Sequence, residues 1–119
     1  MLQKENRLLT NYQFRTTHRY GKKISSRLFY IYYLKRTDGD SVPPTKVGIV
    51  VSKKLSNIAV KRNKLKRIFR EIVRKNFDKI QSGYWIVIHP KKESQKATYE
   101  EINTEFNKIL QKVPFSEKL

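Results

Sequence analysis

Several features common in enzymes and secreted proteins are missing from this sequence of 119 residues. It contains no cysteine, which excludes disulfide frameworks and thiolate-metal sites and suits a reducing compartment. Its four glycines stand singly, so it has no glycine-rich phosphate loop. The first residues lack the apolar core of a signal peptide, and no stretch approaches the roughly 18–20 apolar residues that span a bilayer. We therefore expect a cytoplasmic protein with no membrane partner.

Acidic residues are scarce, and the positive charge that this leaves is unevenly distributed. The sequence has 27 Lys and Arg against 10 Asp and Glu, which gives a formal net charge of +17. Residues 1–36 carry nine basic and one acidic side chain (+8), and residues 52–79 carry eleven basic and two acidic ones (+9). Such a field favours a polyanionic partner, namely RNA, DNA or an acidic membrane surface.

One domain over residues 1–119 is predicted, since the length and the 38% hydrophobic content allow a core without disulfides or metals. Residues 1–8 are expected to form a basic arm that is ordered only when something binds it, and residues 113–119 a loose tail. Periodicity predicts helices over 10–20, over 59–77 and from near 98, with strands over 28–34, 46–52 and 84–89. This order predicts a mixed sheet of three or four strands with helices mainly on one side.

Local residue types refine these elements. Capping boxes are predicted for Thr10 with Gln13 and for Thr98 with Glu101. Gly21 suits a left-handed C-cap, and Ser56 or Asn57 suits the N-cap of the middle helix. The strand over 46–52 is almost continuously apolar, which is typical of a central strand, and we expect it to pair in parallel with 84–89.

The middle helix carries the densest positive charge. At 3.6 residues per turn it has an apolar stripe (Leu65, Ile68, Phe69, Ile72 and Val73) and a separate polar face (Asn63, Lys66, Arg67, Arg70 and Arg74). Cations occupy its first turns before the first acid, Glu71, although a helix N-terminus favours negative charge. Each misplaced cation costs about 0.3–1 kcal/mol, and a bound polyanion would reverse that cost. The alternative is a solvated basic face whose long stems cover apolar surface.

Aromatic residues lie in the same N-terminal region as the first basic segment. They are Tyr12, Phe14, Tyr20, Tyr30, Tyr32 and Tyr33. Aromatic faces beside cations are what single-stranded nucleic acid stacks on, although in a small protein each of these rings can equally belong to the core. Alternation along the strand places Tyr30 and Tyr32 on one face, opposite to Phe29 and Ile31.

No catalytic constellation is predicted. His18 and His89, the only imidazoles, fall on different elements without an acid nearby in sequence to orient them. The sequence has no HExxH motif, no cluster of metal-ligand residues and no closely spaced carboxylate pair. We therefore expect no catalytic residue and no metal or cofactor site built by the protein. It is better equipped to hold a charged polymer than to cleave one.

The run AVKRNKLKRIFR (59–70) resembles the signature helix of the bacterial ribonuclease P protein family, A-V-x-R-N-x-x-K-R-x-x-R. The preceding VVSKK (50–54) is similar to that family's strand end, and Phe14 with Gly21 fits its first helix. The resemblance implies an α+β fold, a two-layer α-β-β-α-β-α sandwich like the second domain of a small-subunit ribosomal protein. It also implies a left-handed βαβ crossover, where periodicity alone favours a right-handed one.

The resemblance implies a function as well. In that family the protein joins a catalytic RNA, expected one to one, and the complex removes the 5′ leader of precursor tRNA, with Mg²⁺ bound mainly by the RNA that performs the hydrolysis. The residues implied to bind the catalytic RNA are Arg62, Asn63, Lys64, Lys66, Arg67, Arg70 and Arg74. Those implied to line the leader-binding cleft are Phe14, His18, Tyr32, Lys53 and Lys54. Two residues depart from the family pattern: Ser56 stands where glycine is common, and His18 where a large apolar residue is common.

Three other functions are compatible with the same charge. A generic ribosome-assembly or nucleoid-type module would show no preference for leader-bearing tRNA. A stand-alone endoribonuclease would cleave RNA without an RNA partner and would depend on His18 or His89. A membrane-surface helix would expose Phe69, Ile72 and Val73, which we expect to be buried against the sheet.

Overall fold

In the part of the chain that the structure describes, the polypeptide forms three α-helices and four β-strands. The computed structural model describes residues 2–37 and 41–115. In chain order the elements are α1 (Asn11–Tyr20), β1 (Lys22–Ser25), β2 (Phe29–Lys35), β3 (Lys46–Ile49), α2 (Ala59–Asn76), β4 (Tyr84–Pro90) and α3 (Tyr99–Leu110). Short 3-10 helices lie at Lys4–Asn6, Phe77–Lys79 and Lys92–Lys96. Within the described ranges, no helix has the length and apolar character needed to cross a membrane.

The strands form one mixed sheet in the order β1-β2-β4-β3. β2 pairs antiparallel with β1 and β4, whereas β3 and β4 are parallel, with α2 between them in the chain. The predicted parallel pairing is confirmed, and the left-handed sense of the crossover stays a prediction of the resemblance. Sequence periodicity does not predict β1, because its four residues (KKIS) include only one apolar side chain.

β3 lies at the edge of this sheet, so the prediction of a central strand is wrong. Its outer side is covered by the N-terminal segment: Arg7 forms an isolated parallel bridge with Val47, and the Leu8 amide donates to the Val47 carbonyl oxygen at 3.2 Å. The Leu8 side chain is buried. Residues 4–8 therefore lie along the sheet edge, and the prediction that this basic arm is ordered only on binding stays a prediction. This cover explains why an edge strand is as apolar as a central one.

The core lies between the sheet and the pair α2 and α3. Phe29 of β2 is fully buried, and its ring contacts Phe69 of α2 and Phe106 of α3, with ring centroids 5.7 and 6.2 Å apart. α1 packs on the opposite face, where Tyr30 and Tyr32 of β2 lie, as the alternation predicts. The α+β fold class is confirmed, with two helices on one face of the sheet and one on the other.

Different interactions determine where α1 begins and where it ends. Thr10 and Gln13 form the predicted capping box, in which the Gln13 amide donates to the Thr10 hydroxyl and the Thr10 amide to the Gln13 side chain, both at 3.2 Å. The corresponding box at the start of α3 is confirmed too. Gly21 follows α1 in an extended conformation (φ −79°), so the predicted left-handed C-cap is wrong. Glycine is needed there for close approach, since an added Cβ would collide with the carbonyl oxygens of Thr17 and Tyr33.

The prediction of a loose tail is wrong for residues 113–115. Val113 and Phe115 are buried, and the Phe115 ring centroid lies 5.3 Å from that of Tyr33 and 5.6 Å from that of Tyr84. The Gln81 amide also donates to the Phe115 carbonyl oxygen at 2.6 Å. The segment after α3 therefore closes one end of the core. The rest of the predicted tail, 116–119, lies outside the described residues.

Candidate nucleic-acid interface

α2 is held to the sheet by its apolar stripe. Leu65, Phe69, Ile72 and Val73 are at most 5% exposed, and Ile68 is half-buried. The helix forms because these residues recur at helical spacing without an intervening glycine or proline. Burying each of the four most buried side chains stabilises the fold by about 1.5–3 kcal/mol. Because the stripe faces the core, the membrane-surface alternative is wrong, and the polar face of α2 is left to solvent.

The start of α2 lacks a side-chain cap. Its N-cap residue is Ile58, whose side chain has no hydrogen-bond acceptor, so the prediction of Ser56 or Asn57 is wrong. The Ser56 hydroxyl instead accepts from the Ile58 amide at 3.3 Å, and the Arg62 guanidinium donates to the Ser56 carbonyl oxygen at 2.9 Å. The first turn contains no acid. The positive end of the helix dipole is therefore surrounded by cations, an arrangement that favours a bound anion.

The residues predicted to bind the catalytic RNA all lie on α2, and most of their side chains are exposed (Arg62, Asn63, Lys64, Lys66, Arg67, Arg70 and Arg74). Of these seven, only Arg74 has an acidic partner among the described residues. It donates two hydrogen bonds to the Glu71 carboxylate, which lowers the pKa of that carboxyl. The polar face of α2 is thus a dense array of positive charge with a single neutralising carboxylate.

A second surface lies where α1 crosses the opposite face of the sheet. His18 of α1 makes an edge-on contact with Tyr32 (ring centroids 4.9 Å), and His89 of β4 stacks on Tyr30 at 4.7 Å and 8°. The Lys23 ammonium lies 4.5 Å from the Tyr30 ring centroid and 5.8 Å from that of Tyr32. These rings are half-buried. Aromatic faces beside a cation are the kind of surface on which unstacked bases bind.

His18 and His89 are 71 residues apart in sequence but meet in this aromatic cluster. Their Nε2 atoms are 2.6 Å apart, and His18 Nδ1 lies 2.8 Å from the Phe14 carbonyl oxygen. A carbonyl oxygen can only accept, so Nδ1 of His18 carries a proton and donates to it. Burial, followed by the charges of His18 and Lys23, lowers the pKa of His89 from 6.5 to about 4. His89 is therefore neutral at pH 7.

Phe14 lines a small cavity at the β3 edge. Its ring lies against Gly48, where an added Cβ would overlap ring atoms. The cavity measures about 220 Å³ and is lined by apolar side chains of the N-terminal segment and β3, together with Arg7 and Arg70. Nε of Arg7 is the one buried side-chain nitrogen or oxygen in the described ranges that lacks a hydrogen-bond partner. Since Arg70 belongs to α2, the two predicted binding surfaces meet at this cavity.

The structure brings together part of the predicted leader-binding cleft. Phe14 and His18 lie on the same side of α1, and His18 contacts Tyr32. Lys53 and Lys54 are exposed in the turn after β3. Among the described residues, no hydrogen bond, ion pair or ring contact joins these two lysines to the aromatic cluster.

Three members of the cluster were not predicted to line the leader-binding cleft: Tyr30, which the sequence indicated only as one of several aromatic candidates, His89, which it indicated only as a candidate base, and Lys23. Alternation along β2 already places Tyr30 beside Tyr32, so that residue could have been found. His89 is opposite Tyr30 only because β2 and β4 pair in one particular register. Register is set by the whole hydrophobic pattern and by the loops, which local periodicity does not reveal.

Comparison with known proteins extends the resemblance over nearly the whole chain. The sequence model of the family described as Ribonuclease P matches residues 2–114. The Ribonuclease P protein component of Bacillus cereus (strain Q1) is 37% identical over 101 residues, which span 85% of this chain and 84% of that protein. The solved RNase P protein from Thermotoga maritima is 28% identical, with a TM-score of 0.77 over 90% of this chain and 96% of that one. The protein from Staphylococcus aureus is 25% identical, with a TM-score of 0.79 over 96% and 100%.

These similarities distinguish two of the functions that charge alone left open. Proteins of this family partner with an RNA in an RNA-based endonuclease that processes tRNA. The similarities favour this role over that of a generic ribosome-assembly or nucleoid-type module. The prediction of a ribonuclease P protein subunit is confirmed. From the signature helix to the overall fold, the chain belongs to the ribonuclease P protein family.

Proposed function

We propose that this subunit uses two surfaces of one domain. The polar face of α2 binds the catalytic RNA, one protein to one RNA, and the cleft between α1 and the sheet binds the 5′ leader of precursor tRNA. The complex removes that leader to give the mature tRNA 5′ end. The observation that supports this proposal is the separation of α2 into two faces. Its apolar stripe is buried, while its cations stay exposed and almost unpaired.

Binding by α2 is electrostatic and depends on salt. If the face neutralises about six phosphates, log K should fall with log salt with a slope of roughly −4 to −5. The uncapped first turn adds backbone amides that can donate to a phosphate. Bound phosphates also relieve the repulsion between like charges one turn apart, such as Lys66 and Arg70.

The cleft holds unpaired leader nucleotides by stacking and by contacts to their phosphates. Tyr32 and its neighbours offer ring surfaces, and stacking of one base on an aromatic side chain contributes about 1–3 kcal/mol. At the Phe14 cavity, Arg7 and Arg70 can approach a backbone phosphate. The N–H group at Nε of Arg7 has no hydrogen-bond partner and could donate to that phosphate. Lys53 and Lys54 add exposed cations for the leader backbone.

The hydrolysis is assigned to the RNA and to the Mg²⁺ that it binds. In residues 2–37 and 41–115, no group of three or more His, Cys, Asp or Glu side chains is placed to hold a metal ion. The protein then acts by reducing the repulsion between two polyanions and by positioning the leader. Less Mg²⁺ should be needed for processing when the protein is bound.

Reconstitution at low Mg²⁺ tests assembly. Catalytic RNA and precursor tRNA are incubated with no protein, with the wild type or with Arg67→Ala/Arg70→Ala. We expect the wild type to enhance processing and the double variant to bind the catalytic RNA more weakly. The matched control is Lys35→Ala/Lys112→Ala, which removes the same charge at exposed positions. If the wild type did not enhance processing, the proposal would be wrong. If both double variants lost RNA affinity equally, the effect would come from net charge and not from a specific contact with α2.

Leader binding has its own test. The affinity of the assembled complex is measured for leader-bearing and for mature tRNA. Tyr32→Ala should lower the preference for the leader-bearing form by about 1–3 kcal/mol, the value of one base stack. Tyr20→Ala is the control, since Tyr20 is 66% exposed at the end of α1. An unchanged preference in Tyr32→Ala would contradict the cleft assignment.

A stand-alone endoribonuclease would need the contact between His18 and His89 for acid–base catalysis. Its geometry argues against acid–base chemistry, because Nε2 atoms 2.6 Å apart leave no room between them for a phosphate. Cleavage of RNA by the protein without catalytic RNA, abolished in both His18→Ala and His89→Ala, would establish this function instead.

A further inference from the structure

We infer that a second RNA-binding groove lies on the other flank of α2, where four lysines surround an apolar floor, and that it takes an unpaired nucleotide of the RNA partner. The inference rests on the proposed function, in which that RNA binds α2. The groove is separate from the aromatic cluster and shares only Lys64 with the residues predicted to bind the catalytic RNA.

Two segments form the groove. α2 contributes Lys61, Lys64, Leu65 and Ile68, and the facing wall comes from Lys92, Ser94, Gln95, Lys96 and Ala97. The α2 residues follow the i, i+3, i+4, i+7 spacing of one helix flank, whereas Arg67, Arg70 and Arg74 lie on the other flank. The groove encloses about 460 Å³. That volume is within the range of roughly 300–1,000 Å³ that suits small organic ligands.

Hydrogen bonds hold the facing wall in place. The Gln95 side-chain amide donates to the Leu55 carbonyl oxygen at 2.7 Å, which ties the 3-10 helix Lys92–Lys96 to the turn before α2. Ser94 is 1% exposed, and its hydroxyl donates to the Lys91 carbonyl oxygen at 2.6 Å. A ligand would therefore not have to order the groove, which reduces the entropic cost of binding.

The groove is rich in uncompensated positive charge. Lys61, Lys64, Lys92 and Lys96 are exposed, and none of them makes an ion pair or a side-chain hydrogen bond within the described part of the chain. Glu93 belongs to the same 3-10 helix but does not line the groove. Lys61 also lies in the uncapped first turn of α2. The complementary ligand is a polyanion, and the established partner of this family is an RNA.

The apolar floor favours an unpaired nucleotide over a duplex. Leu65 is 5% exposed, and Ile68 and Ala97 are half-buried, so the floor offers apolar surface to a ligand. Bases in a duplex are stacked on one another and cannot cover such a surface. An unpaired base can lie on the floor while the phosphates on either side of it contact the lysines.

Binding of the catalytic RNA alone, measured against salt, tests the groove. Lys92→Ala/Lys96→Ala removes two exposed lysines that lie outside α2. If both contact phosphates, the slope of log K against log salt should become smaller by about 1.4–1.8, which corresponds to roughly 40-fold weaker binding at 0.1 M salt when affinities converge near 1 M. The control Lys35→Ala/Lys112→Ala removes the same charge elsewhere and should change the slope much less.

The outcome separates this inference from the proposed function. If Lys92→Ala/Lys96→Ala binds like the control while Arg67→Ala/Arg70→Ala binds weakly, the groove is overturned and the proposed function stands. If all three double variants bind like the wild type, the proposed function itself fails.

The absence of cysteine from the sequence allows a second test that does not depend on affinity. Lys96→Cys introduces a unique thiol, which is labelled with a photo-crosslinker before the RNA is added. We expect crosslinks to unpaired nucleotides of the catalytic RNA. Crosslinks only to base-paired nucleotides, or crosslinks no stronger than those from Lys112→Cys, would overturn the inference.

Discussion

His89→Phe removes a titrating group and keeps an aromatic ring over Tyr30. In the folded protein burial, followed by the charges of His18 and Lys23, lowers the pKa of His89 to about 4, whereas in the unfolded chain the pKa returns to 6.5. Between these two values the unfolded chain binds a proton that the folded protein does not. The stability contributed by neutral His89 is therefore fully present above pH 6.5 and is lost as the pH falls toward 4.

The size of this effect follows from the two pKa values. For a fully buried group with these two pKa values, the unfolding free energy falls by about 1.9 kcal/mol between pH 7 and pH 5. Because His89 is only half-buried, solvent screening reduces the loss to roughly 1 kcal/mol. The charged and titratable groups that face it are His18 from α1 and Lys23 from β1, and both oppose its protonation.

Urea unfolding at pH 7 and pH 5 measures the loss. With a denaturant dependence of about 1–3 kcal/mol per M, a change of 1 kcal/mol moves the midpoint by roughly 0.3–1 M. The wild-type midpoint should fall by that much more than the midpoint of His89→Phe. Carboxyls with a lowered pKa, such as Glu71 and Glu101, titrate in both proteins and cancel in the difference.

Equal falls in the two proteins would contradict the lowered pKa of His89. His18→Phe separates the causes. It removes the charge of His18 but leaves His89 packed against Tyr30, and burial is the larger cause of the lowered pKa. The pH dependence of His18→Phe should therefore be smaller than that of the wild type but not absent.

Three further predictions concern the core and the two surfaces. Phe115→Ala should lower the unfolding free energy by about 3–5 kcal/mol in urea titrations, because that ring is fully buried, and a negligible change would restore the loose tail. Gly48→Ala should cost about 1–3 kcal/mol and weaken the preference for leader-bearing tRNA, since the new methyl group displaces the Phe14 ring; unchanged melting and unchanged preference would contradict that contact. Arg62→Ala should cost about 1 kcal/mol of stability in addition to RNA affinity, because its guanidinium bonds the Ser56 carbonyl oxygen, whereas Arg67→Ala should change affinity alone.

Local sequence patterns predict the features that depend on residues within a single helix or strand. The stripe of α2 was predicted from helical spacing, and the capping boxes at Thr10 and Thr98 from residue pairs three positions apart. The alternation in β2 correctly placed Tyr30 and Tyr32 together on one face of the strand, opposite to Phe29. Each of these features depends on interactions within about one turn or one strand.

Features that depend on distant segments were not predicted. β3 was expected to be central because it is apolar on both faces, but its outer side is covered by residues 4–8, which pattern alone marked as a polar arm. Gly21 was expected to adopt a left-handed conformation, whereas it is required by the approach of the Tyr33 carbonyl oxygen from β2. The meeting of His18 with His89 depends on strand register and helix docking together.

The balance of energies in α2 explains how one helix can serve both the fold and the RNA. Burial of Leu65, Phe69, Ile72 and Val73 contributes about 6–12 kcal/mol at about 1.5–3 kcal/mol each. The cations of its first turn oppose the helix dipole by only about 0.3–1 kcal/mol each. Burial in the core therefore outweighs the repulsion between these cations and the helix dipole, and bound phosphates would relieve that repulsion. Because α2 contacts the core only through its apolar stripe, both flanks of the helix can carry cations. An RNA that binds both flanks would contact α2 on two sides.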